Sequence, residues 1–224
     1  MSIFVIKIIA CVTMVLDHVK YAIPATENFI TIYLGRIAFP LFAFLITEGY
    51  IHTSNLKKYC QRLFIFGLIS QIPFMLFRTL VGEWIMLNIM FTLLLGLFAI
   101  TVYDKIKNKF VSIPFCLIII WLGEFLKVDY GWFGVATVLL IYILKNKKQY
   151  LPFCFAILLI LFFYLDKILI LNKVYITYFV CYMIPIVFIL LYNGKQGRKI
   201  KYFYYAFYPL HMIILYMINI FFIK

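Results

Sequence analysis

Lys7, Asp17 and His18 interrupt the first apolar segment of the chain, KIIACVTMVLDHV, and give it side chains that can do chemistry. Lys7 and His18 are eleven residues apart, which in an α-helix means about 1100° of rotation and about 16 Å of rise. Both side chains are therefore predicted to lie on one helix face. Imidazole gains and loses a proton near neutral pH, which makes His18 a candidate for proton transfer. The alternative is a lysine that snorkels to the membrane surface and a histidine that bonds to a neighbour.

Other apolar segments also carry polar side chains, and these are predicted to lie at mid-membrane or outer depth. An ionisable group inside a bilayer costs about 2.5–3.5 kcal/mol on insertion scales, so each such group is a candidate functional residue. Singly, a serine or asparagine more often forms hydrogen bonds between helices. The set comprises Arg36, Ser70, Gln71, Asn88, Asp129, Tyr130, Tyr208 and His211.

A second polar group is predicted at the cytoplasmic surface, in ITEGYIHTSNLKKYCQR. Glu48 and His52 are four residues apart and can pair on one helix face. Lys57, Lys58 and Arg62 follow directly. This stretch is either a solvated helix end or an entrance at which a polyphosphate ligand meets cations.

The composition indicates that the elements holding these residues are membrane helices. Of the 224 residues, 67% are hydrophobic and 13% are charged, whereas soluble domains have about 45–50% apolar and about 25% charged residues. The expected fold is all-α, a polytopic membrane bundle forming one domain over residues 1–224. We predict about nine spans, with eight or ten as alternatives, at 3–23, 32–51, 61–77, 86–103, 111–127, 131–144, 150–166, 174–192 and 202–222.

The net charge of +13 is distributed as an orientation signal. The loops after the even-numbered spans hold thirteen of the 21 cationic residues, and by the positive-inside rule these loops are cytoplasmic. The N-terminus is then cytoplasmic, and nucleic-acid binding is not expected. These cations are Lys57, Lys58, Arg62, Lys105, Lys107, Lys109, Lys145, Lys147, Lys148, Lys195, Arg198, Lys199 and Lys201.

Motifs for other chemistries are missing from the sequence. It has no P-loop, GxGxxG, GxSxG or HExxH motif, and its histidines lack metal-ligand spacing. We expect no metal, although His18 and His211 can in principle bind a haem between helices. The five cysteines are scattered singly and are predicted to be small buried hydrophobes.

Six blocks of this sequence resemble, in order, the TraX family, whose founding member is associated with N-terminal acetylation of conjugative pilin. They are KIIACVTMVLDHV, LGRIAFPLFAFLITEGYIHTSNLKKYCQRL, LISQIPF, LNIMFTLLLG, VDYGWFGV and FYPLHMIILYMI, and they span nearly the whole chain. The first block also resembles the acyltransferase type three family, in which a basic residue and a histidine have the spacing of Lys7 and His18. Lysine here replaces the arginine often found in that family, and it offers phosphate no bidentate fork.

The resemblance implies a transmembrane acyltransferase that moves an acetyl group from cytoplasmic acetyl-CoA to an amine or hydroxyl acceptor at the outer side of the cell membrane. The acceptor is a peptide such as a pilin N-terminus, a glycan or a lipid. His18 is the implied catalytic centre and Lys7 the implied acyl-CoA ligand. A homo-oligomer is compatible with this reading.

We extend the implied roles to the remaining polar residues as hypotheses. Asp17 pairs with Arg36 or shapes the acceptor site, Arg36 or Asn88 stabilises the oxyanion, and His211 and Tyr208 are second candidates for proton transfer. Asp129 and Tyr130 are assigned to the acceptor. The residues assigned to acyl-CoA are Lys7, Glu48, His52, Lys57, Lys58, Arg62, Ser70 and Gln71.

Two functions of other classes remain open. A small permease or channel would use the same buried polar groups as a proton or substrate path. A non-catalytic assembly factor for a surface appendage would need none of them for chemistry.

Overall fold

The computed structural model describes residues 1–82, 86–165, 173–198 and 203–223, without the side chains of Phe29, Lys173 and Val174. The cations Lys199 and Lys201 lie outside the described residues. The described residues form ten α-helices and one isolated β-bridge, between Leu87 and Val128. The helices are α1 (Ile3–Ala22), α2 (Phe29–Tyr33), α3 (Ala38–His52), α4 (Leu56–Arg78), α5 (Ile89–Lys105), α6 (Lys109–Phe125), α7 (Gly131–Ile143), α8 (Leu151–Leu165), α9 (Lys173–Leu190) and α10 (Phe203–Ile218).

Each of the nine predicted apolar segments contains a helix. The second combines α2, a 3-10 turn over Leu34–Ile37 and α3, and its start is fixed by Asn28, whose side chain caps α2 together with Thr31. The third begins five residues earlier than predicted, so Lys57 and Lys58 belong to the first turn of α4 rather than to a loop. Lysine is a good helix former, and the Asn55 side chain accepts a hydrogen bond from the Lys58 amide.

Within the described part of the chain, four helical segments are long and apolar enough to cross a membrane: Ile30–His52, Leu56–Val81, Lys148–Leu165 and Phe203–Ile223. Gly131–Ile143 and Tyr175–Leu190 are shorter apolar helices. Large apolar side chains such as Phe110, Trp121 and Phe153 point outward from α6 and α8. This is the pattern of a helical membrane protein, whose outer surface is in contact with lipid.

The chain forms two compact units. The first comprises residues 1–42, 68–85 and 170–224, and within it α1 and α10 run parallel. Lys7 contacts Tyr204, His18 contacts His211, and Ala22 accepts a hydrogen bond from Asn219, in the same order along both helices.

The loop between α9 and α10 is attached to the start of α1. The amides of Ile3 and Phe4 donate to the carbonyls of Lys195 and Gln196. Gly197, at φ 70°, lies so close to Phe4 that a Cβ on it would be 2.8 Å from the Phe4 Cβ. The end of α9 and the starts of α1 and α10 therefore lie at one end of this unit.

The second unit comprises residues 43–67 and 86–169. Its core lies between α5, α6 and α7 and contains the buried side chains of Ala99, Cys116, Val135 and Leu139. Gly96 lets α5 approach α7 closely, because a Cβ there would lie 2.6 Å from that of Val138. That the whole chain is one domain stays a prediction.

Candidate active site

His18 lies in the last two turns of α1, against α10. Its Nδ1 is 2.8 Å from the Nε2 of His211, and the two rings are stacked with centroids 5.0 Å apart. The edge of Phe77, from the end of α4, lies against the His18 ring at a centroid distance of 5.2 Å. The imidazole is thus held between two helices of the first unit.

The hydrogen bonds of His211 fix which nitrogen atoms carry protons. Its Nδ1 is 2.8 Å from the carbonyl oxygen of Phe207, which can only accept, so His211 donates from Nδ1. In the neutral pair the His211 Nε2 is then the acceptor, and His18 donates to it from Nδ1. The remaining nitrogen of His18, Nε2, therefore carries a lone pair.

Asp17 forms ion pairs with Arg36 and Lys20 rather than with His18. The Lys20 Nζ is 3.0 Å from the Asp17 Oδ1, and the Arg36 guanidinium binds the same oxygen. All three side chains are largely buried. Gly35 brings the 3-10 turn this close to α1, because a Cβ there would lie 2.5 Å from both the Cβ and the Oδ1 of Asp17. The predicted pairing of Asp17 with Arg36 is confirmed.

Lys7 lies on the same face of α1 as His18, as the eleven-residue spacing predicts. Its Nζ lies 4.8 Å from the centroid of the Tyr204 ring, at the start of α10. Tyr204 and His211 are seven residues apart, two helical turns, and so share one face of α10. The face of α1 that carries Lys7 and His18 packs against α10.

Three further candidates lie in the first unit. Tyr208 is buried beside His211 with ring centroids 5.8 Å apart. Ser70 is fully buried, and its hydroxyl has no hydrogen-bond partner among the described residues. Ser70 shares its face of α4 with Phe77, two turns further along, while Gln71 is half-buried.

Asn88, Asp129 and Tyr130 belong to the second unit, where the structure gives them structural contacts. The Asn88 side chain caps α5 by accepting from the Met90 amide, and it donates to the Gly67 carbonyl at 2.7 Å. The Asp129 backbone bonds to Leu87 and Thr92. Tyr130, at φ 63°, begins α7. These contacts match the interhelical bonding considered for Asn88, and the catalytic and acceptor roles stay predictions.

The predicted cytoplasmic group also belongs to the second unit. His52 and Glu48 pair as predicted, with Nδ1 3.6 Å from the carboxylate and 2.9 Å from the Glu48 carbonyl. Lys57 and Lys58 are exposed, and Arg62 lies over the Tyr59 ring at 5.6 Å. Their proposed role in binding acyl-CoA stays a prediction.

Four residues around this site were not singled out from the sequence: Lys20, Gly35, Phe77 and Tyr204. Lys20 had a usable signal, since it stands three residues after Asp17 and such pairs meet on a helix. Gly35 directly precedes Arg36, but only the packed structure shows which atoms a side chain there would meet. Phe77 and Tyr204 are aromatic residues in an aromatic-rich chain and carry no local signal.

The His18–His211 contact does not suit an iron between the bonded nitrogen atoms. Metal–imidazole bonds are about 2 Å long, so a bridging ion needs about 4 Å between the nitrogens, and they are 2.8 Å apart. Among the described residues, no group of three histidine, cysteine, aspartate or glutamate side chains is placed to hold a metal ion. The geometry instead suits proton transfer at one imidazole oriented by another.

Comparison with known proteins identifies the family. The family model described as TraX protein matches residues 2–219. A probable fimbrial assembly protein of Dichelobacter nodosus, FimC of serogroup H1, is 28% identical, with 96% of this chain and 94% of that protein aligned. An uncharacterized protein of Rickettsia prowazekii is 30% identical over 66% of this chain and 58% of its own length. No solved structure matches the chain.

Proposed function

Because the chain belongs to the TraX family, we propose that it is a membrane acyltransferase that moves acetyl from acetyl-CoA to an amine or hydroxyl acceptor. The observation that carries the proposal is the hydrogen-bonded pair of His18 and His211, which leaves a lone pair on the His18 Nε2. A general base needs a nitrogen lone pair that can take a proton. The neutral His18 ring has one on Nε2, while its Nδ1 donates a hydrogen bond to His211.

In the proposed reaction His18 shuttles one proton. Its Nε2 removes a proton from the acceptor as the amine or hydroxyl attacks the thioester carbonyl carbon. The tetrahedral intermediate then collapses, the bond from carbon to sulfur breaks, and the thiolate of CoA takes the proton from Nε2. The products are the acetylated acceptor and free CoA thiol. A transient acyl-imidazole on the same nitrogen is the alternative route.

The ion-paired group beside His18 supplies the electrostatic part of this proposal. Arg36 and Lys20 share the carboxylate of Asp17, which holds their cationic ends in fixed positions. Cations fixed before the reaction stabilise a developing oxyanion without reorganising. Asp17 acts here as a positioning residue for Arg36.

We also propose that α1 runs from the cytoplasm outward, with nine crossings of the cell membrane. An odd number of crossings makes the first and last helices parallel, which agrees with the order of contacts between α1 and α10. The cationic loop at Lys195 and Arg198 lies beside the start of α1 and would be cytoplasmic. Acetyl-CoA would then approach from the side of Lys7, and the acceptor from the side of His18.

Replacement of His18 by alanine tests the function. Purified protein in nanodiscs is given acetyl-CoA labelled in the acetyl group, with native membrane extract as the source of acceptor. We expect His18→Ala to reduce labelling and release of CoA thiol by several orders of magnitude. Val12→Ala is the matched control, because Val12 lies on α1 with 55% of its surface exposed. Near-normal turnover by a folded His18→Ala protein would refute the assignment.

An assembly role without catalysis is the second candidate, since the relative from Dichelobacter nodosus is named a probable fimbrial assembly protein. Such a protein would support its appendage equally well with alanine at position 18. Surface-appendage assembly in cells that express His18→Ala, measured with the protein at its normal level, separates the two functions.

A further inference from the structure

The ammonium of Lys7 and the hydroxyl of Tyr204 have hydrogen-bonding capacity that the described residues leave unused. The Tyr204 hydroxyl is buried and has no hydrogen-bond partner there, although its ring lies under the Lys7 ammonium. No carboxylate among the described residues lies within 4.0 Å of the Lys7 Nζ. A buried group without a partner is costly, so its presence in a folded protein calls for a ligand or another explanation.

The Lys7 ammonium and the Tyr204 hydroxyl favour a ligand that is an anion and accepts hydrogen bonds. An ammonium and a phenolic hydroxyl can both donate to one oxygen cluster. The neighbouring loop adds positive charge, since the exposed residues Lys195 and Arg198 lie on the segment bonded to the start of α1. A snorkelling lysine would account for Lys7 alone and would leave the tyrosine hydroxyl unexplained. Phosphate has the charge and the acceptor oxygens that this site requires.

Lys7 is already the acyl-CoA ligand that the family resemblance implies. We propose that the Tyr204 hydroxyl completes a phosphate subsite with Lys7 and, resting on the proposed function, that this subsite holds the phosphate from which the pantetheine arm of acyl-CoA extends. Tyr204 thereby becomes a donor-binding residue. The adenosine end would lie toward the loop that carries Lys195 and Arg198. A phospholipid headgroup offers the same chemistry and is the other source of such a phosphate.

The length of the arm favours acyl-CoA. It has about thirteen bonds between phosphorus and sulfur, and at roughly 3.5 Å per three bonds it extends about 15 Å. Lys7 and His18 are about 16 Å apart along α1, and Tyr204 and His211 about 10 Å apart along α10. A phosphate held by the first pair therefore places the thioester within reach of the His18 imidazole. A lipid headgroup would not need this spacing.

The test pairs two substitutions with three donors of decreasing phosphate content. Tyr204→Phe removes only the hydroxyl, and Lys7→Gln removes the charge. Tyr205→Phe, the same change at the next residue, is the control. Each protein in nanodiscs is titrated with acetyl-CoA, S-acetyl-phosphopantetheine and S-acetyl-pantetheine, and Kd and KM are measured.

We expect Tyr204→Phe and Lys7→Gln each to raise Kd and KM about tenfold for the two donors that carry phosphate, the usual effect of a lost hydrogen bond to a charged group. Both values should be unchanged for S-acetyl-pantetheine, and kcat should stay near that of the unsubstituted protein. An equal rise for all three donors, or no rise for any, overturns the subsite. Either result leaves the function of His18 standing.

Two further outcomes identify the source of failure. If the unsubstituted protein binds the phosphorylated donors more tightly than S-acetyl-pantetheine and Tyr204→Phe abolishes the difference, but no donor is turned over, the subsite stands and the acyltransferase function fails. If Tyr204→Phe lowers Tm in phospholipid nanodiscs but not in a phosphate-free detergent, with Kd unchanged for every donor, the phosphate is a lipid headgroup and the donor assignment is overturned.

Discussion

Replacing His211 by glutamine and by asparagine separates the two hydrogen bonds of its ring. A glutamine amide lies near the position of Nε2 and can still accept from the His18 Nδ1. An asparagine amide lies near the position of Nδ1 and can only keep the bond to the Phe207 carbonyl. The two variants have the same functional group and differ by one methylene, so the comparison isolates the bond that fixes His18.

The size of the effect follows from the charge that His18 acquires in the proposed reaction. When its Nε2 takes a proton, the bond from Nδ1 to His211 becomes a hydrogen bond from a cation, worth about 1.5–3 kcal/mol. At 1.36 kcal/mol for each tenfold in rate, His211→Asn should lower kcat by about ten- to 150-fold. We expect His211→Gln to stay within about fivefold of the unsubstituted protein, and His211→Phe to behave like His211→Asn.

The assay is release of CoA thiol in nanodiscs, with the KM for acetyl-CoA measured alongside kcat. A residue that only orients the base changes kcat and leaves the KM of the donor nearly constant. Leu210→Ala is the control, since Leu210 precedes His211 and is 54% exposed. Equal activity of the glutamine and asparagine variants would refute the role of His211 as the acceptor. If all three variants were near normal, His211 would serve packing alone.

Two other changes test the surrounding structure. Gly35→Ala should separate the 3-10 turn from Asp17, lower the free energy of unfolding by about 1–3 kcal/mol and reduce turnover at least tenfold. An unchanged free energy of unfolding and unchanged turnover would contradict the close contact between Gly35 and Asp17. Hydrogen bonds from Tyr142 and Tyr50 hold the pKa of Asp104 below its usual range against the effect of burial. The ionised carboxylate therefore stabilises the fold at neutral pH. This contribution is lost as pH falls through the lowered pKa. Asp104→Asn should therefore lower Tm by about 1–2 °C at pH 7. The difference in Tm from the unsubstituted protein should shrink below about pH 4. A constant difference in Tm between pH 7 and pH 3 would contradict a stabilising role of the Asp104 carboxylate.

The helices could be predicted because membrane-spanning segments stand in the sequence as long continuous runs of apolar residues. The boundary that moved most, at Leu56, arose where lysines extend a helix beyond its apolar part. The shared face of Lys7 and His18 was also predictable, because helical periodicity fixes the direction of two side chains on the same element. Both inferences use information that is local in the sequence.

The partners of these residues were not predictable, since they come from distant parts of the chain. His211 lies 193 positions after His18, and periodicity within one helix does not say which other helix will face it. Asn88 shows the converse. As a polar residue in an apolar run it allowed both a catalytic role and a hydrogen bond between helices. The structure shows its amide bonded to Met90 and Gly67, and the catalytic role stays a prediction. Whether a polar group serves chemistry or packing depends on what meets it in three dimensions.

The distance in sequence between the two histidines has a consequence for biogenesis. His18 is translated 193 residues before His211, so the pair can form only after the intervening helices and α10 have been made. Until α10 is made, the His18 ring lacks the partner that fixes its orientation. Under the proposed function, the hydrogen bond that orients the His18 base is therefore absent until α10 has been made.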